Sequence, residues 1–204
     1  MAKTESTALH ALAFLCDESA ISSPGWCIIA GDDGFMRYEA RRTLIARLAA
    51  GPEGDANYDV EILNGRTVEL RDVLDAINER TLFGGGRVVV VEEADALVKR
   101  HRESLERQIA KPAGPSTLVL DVQTWPANTR LAKAVAKRGI TIRCQTPQQG
   151  RELAQFHRQL KSWLALVAER EFQTGLATSA ADTLLDLLPS EPGILYQEVA
   201  KLSQ

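Results

Sequence analysis

The chain of 204 residues has few of the residue types that build disulfide frameworks or metal centres. It contains only three cysteines, Cys16, Cys27 and Cys144, and three histidines that are scattered singly. An odd number of widely spaced cysteines without a Cys-x-x-Cys motif excludes a disulfide framework and a zinc site, and indicates free thiols in a reducing compartment. We therefore predict no metal site and no cofactor.

Long apolar runs and a large charge of one sign are also missing. The first 25 residues contain Glu5, Asp17 and Glu18 and only a broken apolar run, so neither a signal peptide nor a membrane span is predicted. The formal net charge of -3 gives no general attraction to nucleic acid, although a local basic patch stays open. These features predict a soluble cytoplasmic protein with one large domain, or a mid-sized domain with a small companion.

The most apolar stretch is a run of four valines at residues 88–91. Because β-branched residues pack well on a pleated surface, this run predicts a strand buried on both faces. Residues 81–87, Thr-Leu-Phe-Gly-Gly-Gly-Arg, precede it, and Glu92 and Glu93 follow it. The two carboxylates stand where nucleotide-hydrolysing folds keep a metal-binding acid, whereas the Leu-Phe pair suggests an exposed apolar loop.

Apolar strands and amphipathic helices alternate along the first part of the chain. Strands are predicted at residues 26–30, 60–63, 88–91, 117–121 and 140–144. Helices are predicted at residues 5–20, 35–50, 68–80, 99–110 and 131–137, the second with arginines 37, 41, 42 and 47 on its outer face. This alternation predicts a five-stranded parallel α/β sheet with right-handed crossovers and flanking helices.

The composition changes near residue 148, after which no strand is predicted. Helical spacing of apolar residues covers residues 153–167, and two further helices are predicted at 180–188 and 194–202. Gly175, Pro189 and Pro192 separate these segments. We therefore predict an α/β domain at residues 1–147 and a small all-helical domain at residues 148–204.

Nucleotide hydrolysis is the first candidate chemistry, because an α/β sheet followed by a small helical domain is the plan of the AAA+ machines. A phosphate-binding loop after the first strand needs Gly-x-x-x-x-Gly-Lys-Ser or -Thr. Residues 31–37 instead read Gly-Asp-Asp-Gly-Phe-Met-Arg, and each contact between these carboxylates and a triphosphate would cost on the order of 1 kcal/mol. A working nucleotide site is therefore not predicted. An atypical P-loop ATPase that uses Glu92 and Glu93 stays the alternative.

Four motifs follow one another in an order that resembles the delta subunit of the bacterial DNA polymerase III clamp loader. They are Gly-Asp-Asp at residues 31–33, Leu-Phe before Arg-Val-Val-Val-Val at 82–91, Cys-Gln-Thr-Pro at 144–147, and Gln-Glu-Val-Ala-Lys-Leu at 197–202. The resemblance runs from about residue 8 to the end. It implies an AAA+ fold without a working ATP site, and a non-catalytic subunit that opens the ring-shaped sliding clamp for loading onto primed DNA.

The resemblance also implies a binding site and partners. That family uses a hydrophobic pair at this place to fill a pocket on the clamp, which assigns this role to Leu82 and Phe83. The residues alone favour another reading, in which the pair is tucked into the core and caps the preceding helix with Gly84 in the left-handed position. The resemblance reverses this preference. The implied partners are the sliding clamp (beta subunit) and the gamma/tau and delta prime subunits. The latter bind mainly through a collar domain that follows residue 202 in the family and is missing here, and DNA is bound weakly or only within the complex.

Residues 99–102, Lys-Arg-His-Arg, form a basic cluster that is suited to contact phosphates. Glu103 and Glu106 lie one helical turn further on, where they can pair with the cluster. This spacing favours a solvated helix face. Trp125 and Trp163 are predicted to be packing residues.

Overall fold

The computed structural model describes residues 8–17, 25–50, 59–79, 86–112 and 114–204. Within this part of the chain, six strands form one parallel sheet in the order β1-β6-β2-β5-β4-β3. The strands are β1 Leu9–His10, β2 Trp26–Ala30, β3 Asp59–Asn64, β4 Arg87–Glu92, β5 Thr117–Val122 and β6 Ile140–Arg143. The helices are α1 Ala11–Cys16, α2 Gly34–Ala50, α3 Leu70–Asn78, α4 Asp95–Ile109, α5 Arg130–Arg138, α6 Gly150–Phe172, α7 Thr178–Leu187 and α8 Pro192–Leu202.

The sheet has one strand more than the five that the sequence predicts. Leu9 and His10 pair with Ile142 and Arg143 at the edge of the sheet. The described part of the predicted helix at residues 5–20, residues 8–17, is therefore a short strand followed by α1. The His10 ring nitrogen Nδ1 accepts a hydrogen bond from the Leu12 backbone N–H at 3.2 Å and caps this helix. A strand of two residues shows no alternation, and the sequence pattern therefore gives no sign of it.

The valine run forms a strand that is buried on both faces, as predicted. All four valines of β4 are fully buried. Because side chains alternate along a strand, Val88 and Val90 enter the apolar cluster on one face of the sheet, whereas Val89 and Val91 enter the cluster on the other face. The sheet is therefore covered on both sides, which confirms the predicted parallel sheet with flanking helices.

Only helices follow β6 in the described residues 144–204. The apolar stripe of α6 is buried against α1, α2 and α8, in the same cluster that contains Val88 and Val90. Its buried members are Phe156, Leu160, Trp163, Leu164, Val167 and Ala168. The all-helical C-terminal part is thus confirmed, and Trp163 is a packing residue. The division of the chain into domains at residues 147 and 148 stays a prediction.

The three cysteines are free, as the sequence predicts. Burial raises the pKa of the Cys27 and Cys144 thiols far above the usual range, and neither is exposed. No described helix combines the length and the apolar character that crossing a membrane requires.

Candidate functional site

The candidate site lies at the carboxyl ends of the neighbouring strands β2, β5 and β4. Open α/β sheets bind their ligands at this end of the strands. The loop between β2 and α2 occupies the place of a phosphate-binding loop. Gly31 has a φ of 150°, and a Cβ at this position would lie 1.9 Å from the Cys144 carbonyl oxygen. The same oxygen accepts a hydrogen bond from the Asp33 N–H at 3.1 Å. The loop therefore lies flat against the end of β6.

Asp33 occupies the N-terminus of α2. Its Oδ1 accepts a hydrogen bond from the Met36 N–H at 2.9 Å, and its carbonyl oxygen accepts one from the Arg37 N–H at 3.1 Å. A helix N-terminus binds anions because its first N–H groups are unpaired and its dipole is positive. Here the chain's own carboxylate fills that position, so a phosphate would have to displace it.

Two arginines of α2 reach across the carboxyl edge of the sheet. Arg37 Nε lies 2.9 Å from Asp121 Oδ1, and Arg41 Nη1 donates a hydrogen bond of 2.6 Å to Asp121 Oδ2. Arg41 Nη2 is 3.0 Å from Glu92 Oε1, and Arg37 also donates to the Gly31 carbonyl oxygen. The prediction that Arg37 and Arg41 lie on the outer face of the helix is wrong, because their side chains are only 15% and 17% exposed.

This ion network engages the acidic residues that a nucleotide site would use. Glu92 pairs with Arg41, and Glu93, which has a positive φ of 51°, pairs with Arg66. Burial raises the pKa of the Asp121 carboxyl, although the two guanidinium groups act in the opposite direction. No group of three or more possible metal ligands occurs within the described residues. Arginine side chains supply the positive charge that faces these carboxylates.

A cleft of about 680 Å³ separates this loop from the start of α8. The charged side chains that line it are Asp32, Asp33 and Glu191, and no lysine or arginine of the described chain lies among them. Three carboxylates without a cation make this space unfavourable for a triphosphate. The described residues that line the cleft therefore offer no cation to a phosphate group.

A second network joins α2 to the C-terminal helices. Arg42 Nη2 donates hydrogen bonds to Glu39 Oε2 at 2.7 Å and to Glu171 Oε1, and the Tyr196 hydroxyl donates to Glu171 Oε2 at 2.7 Å. Burial favours a higher pKa for Glu171, but the hydrogen bonds from Tyr196 and Arg42 lower it overall. The bond to Glu171 raises the pKa of Tyr196 to about 12. These contacts fix α6 and α8 against α2, the helix that follows the loop of the candidate site.

Leu82 and Phe83 lie outside the described residues, so their role stays a prediction. The residues on either side of residues 80–85 are described. They lie near the amino end of β4, which begins at Arg87, whereas the ion network lies at the carboxyl end of this strand, beside Glu92. Arg87 Nη1 lies 2.6 Å from Glu79 Oε2 and therefore joins the two ends of this segment. Arg87 also pairs with Asp59 and Glu61.

Sequence reasoning missed these arginine contacts. Arg87 directly follows three glycines, and a charged residue at the start of an otherwise apolar strand is the one local sign of its role. The partners of Arg37 and Arg41 depend on the order of the strands, since the ends of β4 and β5 reach α2 only in the folded sheet.

The architecture defines an AAA+-like α/β fold with C-terminal helices. Among solved structures, the chain is similar to the Bacillus subtilis DNA clamp loader delta protein (YqeN), with a TM-score of 0.60 and 17% identity over 88% of this chain and 52% of that one. It is also similar to the RuvB Holliday junction branch migration motor of Thermotoga maritima, with a TM-score of 0.50 and 15% identity over 85% of this chain and 52% of that one.

These similarities concern the fold. The chain spans about half the length of the solved structures that it matches. No family model matches the sequence, and no curated protein matches it.

Proposed function

We propose that this protein is a non-catalytic subunit of a DNA polymerase clamp loader, which binds the sliding clamp and opens it for loading onto primed DNA. The observation that carries the proposal is the joint occurrence of two features. The fold is similar to a clamp loader delta protein over 88% of the chain, and the position of the phosphate loop is filled by Asp33 and the arginine network. A subunit that uses an AAA+-like fold without nucleotide chemistry fits both.

In this function, Leu82 and Phe83 insert into a hydrophobic pocket of the clamp. The Arg87–Glu79 ion pair supports the assignment, because it holds together the two ends of the segment that carries them. A side chain that fills a pocket beside the seam of a ring favours the open form if it binds that form more tightly. The energy for opening then comes from binding, and the chain needs neither a metal ion nor a cofactor.

Capture on the immobilised cognate sliding clamp tests the proposal. We expect the clamp to retain the chain equally well with and without ATP, because the candidate nucleotide position is filled by protein side chains. The control is the same resin with an unrelated immobilised protein. The proposal fails if the chain passes through the clamp resin unretained, or if its retention requires ATP.

Titration calorimetry with magnesium and ATP separates the proposal from the ATPase alternative. We expect no binding heat at millimolar nucleotide, because a phosphate would have to displace Asp33 from the α2 N-terminus and approach a cleft lined by carboxylates. Saturable binding, together with hydrolysis that is lost in Glu92→Gln or Glu93→Gln, would instead establish the ATPase. A control with Glu103→Gln, a carboxylate on α4, shows whether any loss is specific.

A further inference from the structure

Positive charge is concentrated in one part of the chain. Residues 99–143 contain ten lysines and arginines against three aspartates and glutamates, whereas the whole chain has 24 against 27. The basic residues lie mainly on α4 and α5, which pack side by side on the same face of the sheet. This distribution creates a positive surface on a protein that is acidic overall.

Three cations of α4 form no ion pair in the part of the chain that the structure describes. Within the described residues, no carboxylate lies within the 4.0 Å ion-pair distance of Lys99, Arg100 or Arg102. The predicted pairing of this cluster with Glu103 and Glu106 is therefore wrong. The backbone of His101 leaves the helical region (φ -117°, ψ 22°) between Lys99 and Glu103.

An aromatic side chain lies between the cations of α4 and those of α5. Trp125 is half-buried and packs on the apolar cluster beneath the two helices. Its loop is held by the Asp95 carboxylate, which accepts hydrogen bonds from the Gln123 N–H at 2.9 Å and the Thr124 N–H at 3.0 Å. The Thr129 hydroxyl donates to the Pro126 carbonyl oxygen and accepts from the first turn of α5. The backbone on both sides of Trp125 is therefore held in place.

Two cavities meet at this ring. One, of about 310 Å³, is lined by Trp125 together with Lys99, Arg102 and Asp95 of α4, and this aspartate already accepts the backbone hydrogen bonds of the Trp125 loop. The other, of about 260 Å³, is lined by Trp125 together with Lys133 of α5 and Arg143 of β6. An aromatic platform with cations in both neighbouring cavities offers stacking and phosphate contacts in one place.

We propose that this surface binds single-stranded nucleic acid, with a base stacked on Trp125 and the flanking phosphates on the cations of α4 and α5. A base can stack on a side chain only when it is not already stacked between the adjacent bases of a duplex. This requirement favours a single strand over a duplex. An acidic peptide would use the cations but would leave the aromatic ring without a role. The proposal requires neither the clamp nor Leu82 and Phe83.

The test is a titration of the full chain with an oligothymidylate of about twelve nucleotides at low salt, followed by tryptophan fluorescence. Trp26 and Trp163 are 8% and 4% exposed, so quenching reports mainly on Trp125. We expect Trp125→Ala to weaken binding about tenfold and Trp125→Phe to weaken it less than about threefold, because phenylalanine keeps a stacking face. The affinity of Trp125→Ala is read from the anisotropy of a labelled oligonucleotide.

The salt dependence supplies a second measurement. Lys99→Gln combined with Lys133→Gln should reduce the slope of log K against log salt by about 1.4, because each phosphate that is no longer neutralised reduces it by about 0.7. Arg71→Gln on α3 and Tyr38→Ala on α2 are matched controls, because both side chains are exposed and lie on other helices. Neither control should change affinity or slope.

Three results would overturn the proposal: no binding of the oligonucleotide at low salt, unchanged affinity in Trp125→Ala, or equally tight binding and quenching by an oligoglutamate of the same charge. A parallel titration with an oligouridylate of the same length compares the affinity for RNA with the affinity for DNA. Binding of either strand supports the proposal, and the tighter one identifies the nucleic acid. Because the clamp is not present in this experiment, its outcome is independent of the proposed clamp binding.

Discussion

Replacement of both Leu82 and Phe83 by alanine should weaken binding to the sliding clamp at least about a hundredfold, with an unchanged melting temperature. Large apolar side chains that fill a partner pocket each contribute roughly 2 kcal/mol or more as hot spots. Since about 1.4 kcal/mol corresponds to a factor of ten, the two together account for a loss of this size. Surface plasmon resonance on the immobilised clamp measures the affinity, and thermal unfolding measures the stability.

Ile62→Ala and Leu187→Ala are the matched controls for this experiment. Both side chains are large, apolar and exposed, at 55% and 75%, and they lie on β3 and α7. They should leave clamp affinity unchanged. If Leu82→Ala and Phe83→Ala lower the melting temperature and leave clamp affinity intact, the pair belongs to the core and the assignment is wrong.

Replacement of both Arg37 and Arg41 by methionine should lower the free energy of unfolding by about 3 kcal/mol or more at neutral pH. The change leaves the Asp121 carboxylate, whose side chain is 7% exposed, without the two cations that pair with it. Removal of one side of a buried ion pair is strongly destabilising because the remaining charge stays out of water without a partner. Urea denaturation measures the loss, and Arg71→Met, a change at an exposed cation, is the control.

The pH dependence of this variant identifies Asp121 as the cause. Burial already raises the pKa of this carboxyl, and loss of the arginines raises it further. The folded state then binds the proton more tightly than the unfolded state, so stability should return as pH falls through the raised pKa towards the ordinary value of about 3.9. The effect should vanish when Asp121→Asn is added. A loss below about 1 kcal/mol, or one that persists unchanged at low pH, would show that the network does not hold the site.

Much of the fold follows from local patterns. The valine run predicts β4, and the structure buries each of its side chains. The apolar spacing near Leu160 predicts α6, which the structure extends to Gly150–Phe172. In β4 a continuous run of β-branched residues decides the structure, because both faces must be buried. In α6 the helical spacing of apolar residues decides it, because one face must be buried.

The rest depends on contacts between residues that are distant in sequence. The prediction that Asp32 and Asp33 replace the phosphate loop needs only the order of residues after a strand. The positions of Arg37 and Arg41 need the strand order, since their partner Asp121 lies 80 or more residues further along the chain. Likewise, the basic residues near Trp125 come from α4, α5 and β6, and no linear spacing shows that they share one surface.

The strand order also has a consequence for synthesis on the ribosome. β2 is made early, but it lies between β5 and β6, which begin at Thr117 and Ile140. Its backbone N–H and C=O groups therefore lack their β5 partners until Val122 has been translated and their β6 partners until Arg143 has been translated. Closure of such long-range pairs is slow, because the chain loses loop entropy before the contacts form. A stalled ribosome would thus carry an unpaired central strand, and a chaperone that covers β2 would have its greatest effect during this interval.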